Sequence, residues 1–138
     1  MKRTYTLAEL PDIASLILEN ISSKTLLLYG EMGVGKTTLV KELAQKLGIK
    51  ESISSPTFSI VNEYDLPKDK LYHFDFYRII DETELLDIGI EDYFETDHWK
   101  LIEWPERVNE NLLPFNRTTL KLTKNTNGSR TIQIMPMS

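Results

Sequence analysis

Three features of the sequence predict an α/β fold built on a mixed sheet, with a parallel core, antiparallel additions and flanking helices. They fit one domain over residues 1–138. The first is an apolar run, Thr25-Leu26-Leu27-Leu28-Tyr29, followed by a glycine loop and an amphipathic segment. That is the order of a buried parallel strand feeding a helix. The second is a pair of aromatic-rich segments, Phe58–Tyr64 and Leu71–Tyr77, joined by Leu66–Lys70, which reads as an antiparallel hairpin. The third is a tail in which Thr118–Leu122 and Arg130–Ile134 alternate apolar and polar residues around an Asn127-Gly128 turn signal. Strands alternating with helices, then a hairpin, give a mixed layered sheet.

The elements follow in order. Pro11 to Ile21 predicts a first helix with Ile13, Leu16, Ile17 and Ile21 on one side, and Pro11 suits a first helical turn. After the glycine loop, Thr38–Leu47 predicts a second helix, because Leu39, Leu43 and Leu47 repeat at i, i+4, i+8, and Gly48 stops it. Ser54-Ser55-Pro56-Thr57 predicts a loop. Asp81 with Glu84 three residues later predicts a capped short helix ending near Gly89, with a further turn over Ile90–Phe94. Trp99–Trp104 predicts a strand that Pro105 ends.

The loop carries the chemistry. Gly30-Glu31-Met32-Gly33-Val34-Gly35-Lys36-Thr37 fills every fixed place of the G-x-x-x-x-G-K-[ST] phosphate-binding pattern, so the sheet is expected to be P-loop NTPase-like. Glycines let backbone N–H groups converge on an anion, and the following helix adds its N-terminal partial charge. Lys36 is placed to reach the β- and γ-phosphates of a nucleotide, and the Thr37 hydroxyl to bind Mg²⁺. The strand before and the helix after distinguish this loop from a chance glycine-rich turn.

A site of this kind needs an acidic residue at a strand end on the metal side. Asp75, after Leu71-Tyr72-His73-Phe74, and Glu103, after Leu101-Ile102, both qualify, since ligands gather at strand ends in open α/β sheets. The residues alone leave open which stands nearer the metal, or whether either is a solvated carboxylate. His73 shares a strand face with Asp75. It reads either as a partner of Asp75 in positioning water or, with more weight, as a packed or partly exposed strand histidine. Tyr64, Tyr72, Phe74, Phe76 and Tyr77 read as core and strand pairs rather than a base-stacking platform.

Composition narrows the function classes. A chain of 138 residues is long enough for a true core, and 41% hydrophobic with 27% charged residues is ordinary for a globular domain. No apolar run approaches a membrane span. Met1-Lys2-Arg3 is basic, but Glu9, Asp12 and Glu19 follow, unlike a secretory leader. The absence of cysteine removes disulfides, thiolate metal sites and cysteine nucleophiles, and fits a cytoplasmic protein. A net charge of −5 with only five arginines argues against direct gripping of nucleic acid.

Four blocks coincide in order and spacing: Gly30–Thr38, Ser55-Pro56-Thr57-Phe58, His73-Phe74-Asp75-Phe76-Tyr77-Arg78, and Ile102-Glu103-Trp104-Pro105-Glu106. Together they resemble the bacterial TsaE (YjeE) family, the small ATPases of the machinery that makes threonylcarbamoyladenosine in tRNA. The resemblance runs from the first helix to Pro114, and Gly128-Ser129-Arg130 matches the family only loosely. It implies that Gly33, Val34, Gly35, Lys36, Thr37 and Thr38 hold the ATP phosphates, and that Thr37 and Glu103 face Mg²⁺. It implies that Lys36, Asp75 and Glu103 serve hydrolysis, with Asp75 ordering the metal's water shell or the attacking water. Thr6 corresponds to an adenosine-side contact, Ser55-Pro56-Thr57 to a γ-phosphate switch, and Trp104 to a neighbour of the site. The implied partners are TsaD and TsaB, with tRNA reached through them.

The residues agree with an assisting role. Arg78, Arg107 and Arg130 are the candidate arginine fingers, and no lid-like arginine cluster is evident. A weak ATPase is therefore expected alone, with stronger turnover beside partners. Two other functions use the same loop. One is a small-molecule kinase, which needs an acceptor pocket and a mobile lid. The other is a non-catalytic switch in which ATP only orders the Ser55-Pro56-Thr57 segment.

Overall fold

The computed structural model describes residues 1–54, 56 and 60–136. A sheet of seven strands runs through the described residues in the order β1-β7-β6-β2-β5-β4-β3. The strands are β1 (Lys2–Tyr5), β2 (Thr25–Tyr29), β3 (Val61–Asp65), β4 (Lys70–Asp75), β5 (Trp99–Glu103), β6 (Thr118–Lys124) and β7 (Arg130–Pro136). The helices are α1 (Leu10–Glu19), α2 (Lys36–Leu47), α3 (Thr83–Asp87) and α4 (Ile90–Glu95).

The mixed sheet predicted from the sequence is present. β2 lies between β5 and β6 and is parallel to both, and β4 is parallel to β5. The antiparallel additions sit at the two ends: β3 on β4, and β7 and β1 beyond β6. β2 is buried without a break from Thr25 to Leu28 because both of its faces are covered. Leu26 and Leu28 pack with Leu39 and Leu43 of α2, Ile13 and Ile17 of α1, and Leu101 of β5. Leu27 belongs to the opposite face with Phe74, Phe76, Leu85, Ile90 and Ile102. The alternation along β2 thus assigns one layer to α1 and α2 and the other to α3 and α4.

Several boundaries move by one to three residues. α1 ends at Glu19 rather than Ile21 because the Asn20 side chain donates to the Leu16 carbonyl at 2.7 Å and closes the last turn. α2 starts at Lys36, and Gly48 ends it in a left-handed conformation (φ 111°), donating to the Ala44 carbonyl at 3.1 Å. The Glu84 carboxylate accepts the N–H groups of Asp81 and Ile80 as a capping pair, while Asp81 accepts from Thr83, so α3 begins at Thr83. The 58–64 strand is described from Val61; Phe58 and Ser59 lie outside the described residues.

β1 is an element that the sequence reading does not contain. Its residues pair with β7 from Lys2↔Gln133 to Tyr5↔Arg130. Only Tyr5 of the four is buried, so no hydrophobic alternation marks the strand. What holds it is the ladder, a 3.0 Å contact between the Thr4 and Thr131 hydroxyls and the single core anchor Tyr5, a pattern that leaves no apolar alternation.

The first glycine of the loop is fixed by crowding at the end of β2. A Cβ at Gly30 would stand 2.7 Å from Val34 Cγ1 and 2.9 Å from the Leu122 carbonyl oxygen. Gly30→Ala is therefore expected to lower stability by roughly 1–3 kcal/mol in equilibrium denaturation, as overpacking does. A change within about 0.5 kcal/mol, as at an ordinary surface site, would contradict this tight packing.

Candidate functional site

The end of β2 delivers the chain into the glycine loop, and the loop delivers it into α2. Gly33 and Gly35 adopt positive φ of 80° and 105°, which favours glycine. A Cβ at either would meet nothing within 4 Å, so both face open space rather than the core. Val34 does the opposite: its side chain is buried against Gly30, its N–H donates to Glu31 at 3.2 Å, and its carbonyl accepts from Arg130 Nε at 2.8 Å. Arg130, one of the three candidate fingers, is thereby tied to the back of the loop, and it also donates to the Gly128 carbonyl.

Lys36 and Thr37 open α2 and turn to different partners. Lys36 is nearly buried; its Nζ donates to the Gly30 carbonyl and sits 3.2 Å from the centroid of the Trp104 ring. Burial pushes its ammonium below the ordinary lysine range, with Glu106, Glu103 and Asp75 pulling the other way. A desolvated ammonium on an aromatic face gains about 2 kcal/mol. The Thr37 hydroxyl reaches Glu103, 2.9 Å from Oε1 and 3.1 Å from Oε2. Helix α2 is in this way joined to the end of β5.

Parallel pairing of β4 with β5 puts Asp75 and Glu103 opposite one another at the ends of their strands. Glu103 is 2% exposed, while Asp75 is half-buried at the mouth. Burial raises the Asp75 carboxyl above the ordinary range; the Tyr77 N–H, 3.0 Å from Oδ1, works against the rise. His73 is fully buried and lies 2.6 Å from Glu103 Oε2 through its Nε2. Of the two sequence readings, the strand histidine stands, packed rather than partly exposed, and its partner is Glu103. Pairing across neighbouring strands hid this, because the sequence places His73 nearest to Asp75.

These groups line a cleft of about 580 Å³ at the end of the parallel strands. Gly33, Gly35, Lys36, Thr37 and Thr38 form one wall, and Asp75, Glu103 and Trp104 another. Arg78 also lines the cleft, whereas Arg107 lies over the rings of Tyr77 at 4.9 Å and Trp104 at 5.7 Å. Trp104 is the one non-glycine at positive φ (57°) among the described residues, a conformation that costs about 1–2 kcal/mol. That turn sets the indole over Lys36 and against Tyr77, with ring centroids 4.9 Å apart. The sequence signal for it was only the Pro105 that follows.

Thr6 is not among the residues lining the cleft; its N–H and hydroxyl meet the Glu9 carboxylate at 3.0 and 3.1 Å. Of the expected switch, Pro56 lines the cleft, while Ser55 and Thr57 lie outside the described residues. Chemically, the cleft offers an anion cradle, the ammonium of Lys36 and the guanidinium of Arg78, a threonine hydroxyl locked to the Glu103 carboxylate, and the further carboxylates of Asp75 and Glu84. No group of three His, Cys, Asp or Glu side chains that could cage a metal is found among the described residues. A hard cation here has Thr37, one or two carboxylates and its own ligands to share.

With this geometry in place, comparison with known proteins is direct. Residues 4–132 match the family model of "Threonylcarbamoyl adenosine biosynthesis protein TsaE". The chain belongs to the TsaE family. A relative in Haemophilus influenzae, a tRNA threonylcarbamoyladenosine biosynthesis protein TsaE, is 41% identical over 103 residues, covering 73% of this chain and 65% of the relative. Proteins of the same name are 38% identical over 124 residues in Nostoc (85% and 73% covered) and 44% over 87 residues in Bacillus subtilis (63% and 54%). The match thus spans less than two thirds of the Haemophilus and Bacillus relatives. The crystal structure of YdiB from Bacillus subtilis superposes with a TM-score of 0.77 at 28% identity, covering all of this chain and 86% of that one. TsaE proteins belong to tRNA threonylcarbamoyladenosine biosynthesis. Among the described residues, no helix is long and apolar enough to cross a membrane.

Asp75 carries a stability prediction. Its carboxyl is raised in the folded protein, so the fold penalises the ionised form at neutral pH. That penalty is present above the raised folded value and vanishes below the unfolded one. Asp75→Asn, which keeps the acceptor for Tyr77, is expected to raise Tm at neutral pH, and the gain should shrink as pH falls through the carboxylate range. A Tm difference that is independent of pH would contradict the burial argument.

Proposed function

We propose that this chain is the ATP-binding and ATP-hydrolysing subunit of tRNA threonylcarbamoyladenosine synthesis, a weak Mg²⁺-dependent P-loop ATPase that works with TsaD and TsaB in the cytoplasm. The observation that carries the reading is the Thr37 hydroxyl locked to a buried Glu103 beside an open glycine cradle. A buried carboxylate is disfavoured unless it is paired. Its placement next to Thr37 and Lys36 is what a phosphate-bound cation requires.

The residues fit the ligand and the metal. The space in front of Gly33 and Gly35 admits phosphate oxygens to the loop backbone, and Lys36 lies within the same wall. Thr37 and Glu103 would hold Mg²⁺, which when bound neutralises charge on the β- and γ-phosphates. Lys36 exchanges the Gly30 carbonyl for phosphate oxygens, and its partial desolvation strengthens that contact. Asp75, at the rim and with a raised carboxyl, orients the attacking water and accepts its proton. Gly33, Gly35 and Thr38 complete the phosphate wall, while Val34, which is buried against Gly30 and does not line the cleft, stays in the proposal on family grounds. Thr6 on the adenosine side and Ser55-Pro56-Thr57 as γ-phosphate sensor remain part of the proposal on family grounds.

Turnover by the chain alone should be slow. Arg130 is tied to Val34 and Arg107 lies over two aromatic rings, which leaves Arg78 as the arginine lining the cleft. An arginine brought in or repositioned by a partner is worth about 10³–10⁵ in rate.

The test uses labelled ATP with the full chain, with and without TsaB and TsaD. Slow release of free phosphate is expected, accelerated by the pair, and Lys36→Ala or Glu103→Gln should reduce it by about 10²-fold or more. Equal turnover with and without the pair contradicts the assisting role. Label in an organic acceptor instead of free phosphate selects the kinase. Full tRNA modification by an Asp75→Ala variant that no longer hydrolyses ATP selects the non-catalytic switch.

A further inference from the structure

His73 has no place in the functions above, yet it is the most completely buried titratable side chain near the cleft. Its Nε2 lies 2.6 Å from Glu103 Oε2, and its Nδ1 is buried with no hydrogen-bond partner among the described residues. This asymmetry fixes the proton. A buried N–H without an acceptor is rarer and costlier than a bare lone pair, so the hydrogen sits on Nε2 and is donated to Glu103. The tautomer follows from the network. Glu103 therefore receives two donors from two different elements: the Thr37 hydroxyl from α2 and the His73 imidazole from β4.

Strand register makes this possible. His73 pairs with Leu101, and Asp75 with Glu103, two residues farther on in both strands. His73, Asp75 and Glu103 consequently project from the same face of the sheet, the face that α2 covers. A glutamate side chain has three rotatable bonds, and a single donor leaves its carboxylate plane free to turn. Two donors, on different elements, fix that plane.

We propose that His73 is a positioning residue that holds the Glu103 carboxylate in the orientation needed on the metal side. The proposal rests on the metal-side reading of Glu103. A purely structural role is the weaker account. β4 and β5 are already laddered from Leu71↔Trp99 to Asp75↔Glu103, and an apolar pair would join them as well as a buried polar one. Partners that orient a ligating carboxylate from behind are typically worth 10–100-fold in metal affinity.

The test reads metal binding rather than turnover. Mn²⁺, replacing Mg²⁺, is titrated into the full chain with a non-hydrolysable ATP analogue and followed by electron paramagnetic resonance against a nucleotide-only control. Three variants are compared: His73→Leu removes the donor, His73→Asn is too short to reach Glu103, and His73→Gln carries an N–H to about the place of Nε2. Leu and Asn are expected to weaken Mn²⁺ binding about 10–100-fold, with Gln recovering most of the loss. At saturating metal, kcat of the Leu variant should return close to that of the parent. Mn²⁺ affinity unchanged in the Leu and Asn variants, or Gln as weak as Asn, overturns the proposal. Should His73→Leu fail to fold, the comparison of Gln with Asn decides it. Glu103→Gln separates the two layers. Parent-like Mn²⁺ affinity there refutes the metal role of Glu103 itself. Loss there with unaffected His73 variants refutes only the positioning role.

Discussion

The hydrogen bond between Thr37 and Glu103 is the contact around which the molecule is arranged. It joins the first turn of α2 to the end of β5, and it brings a helix N-terminus, a glycine loop and two strand ends to one point. A hydrogen bond to a charged acceptor is worth about 1.5–3 kcal/mol, but its placement matters more than its energy. Because β5 lies beside β2, the carboxylate at the end of one strand stands over the loop at the end of the other. Because β4 lies on the far side of β5, Asp75 and His73 arrive on the same face. The order of the parallel strands is thus the device that assembles the site.

The same arrangement burdens stability. Lys36 and Glu103 are almost fully buried, and the Asp75 carboxyl is pushed up by its surroundings. None of these would be chosen to hold a fold together, since buried charge is disfavoured unless well paired. The chain offsets them locally. Lys36 has a carbonyl and an indole face, and Glu103 has a hydroxyl and an imidazole. The left-handed turn at Trp104 belongs to this compensation, because it sets the ring over the ammonium. Away from the cleft the core is conventional: leucines and isoleucines under α1 and α2 on one face, and Phe74, Phe76, Leu85 and Ile102 on the other.

Much of this was legible in the sequence, for physical reasons that differ by element. β2 is covered on both faces, so its continuous apolar run announced it. The glycine loop and α2 were readable because glycine at positive φ and an i, i+4 leucine stripe leave few alternatives. Asp75 and Glu103 stood out because each follows an apolar strand. β1 was not legible, since a polar edge strand with one buried residue, Tyr5, is specified mostly by its ladder with β7 and carries no apolar alternation. Nor was the partner of His73, because the nearest carboxylate in sequence and the nearest across the sheet are different residues. Val34 and Arg130 illustrate the same limit: the loop's back wall is held by a residue almost a hundred positions away.

The central claim is that Lys36, Thr37 and Glu103 form one nucleotide–metal site. The most direct measurement is a crystal structure of this chain with Mg²⁺ and a non-hydrolysable ATP analogue. The account predicts phosphates against the backbone of Gly33–Thr38, Lys36 moved from the Gly30 carbonyl to the phosphates, and the metal bound by the Thr37 hydroxyl on the Glu103 side. A nucleotide bound elsewhere, or phosphates in the loop with the metal held away from both Thr37 and Glu103, would contradict it.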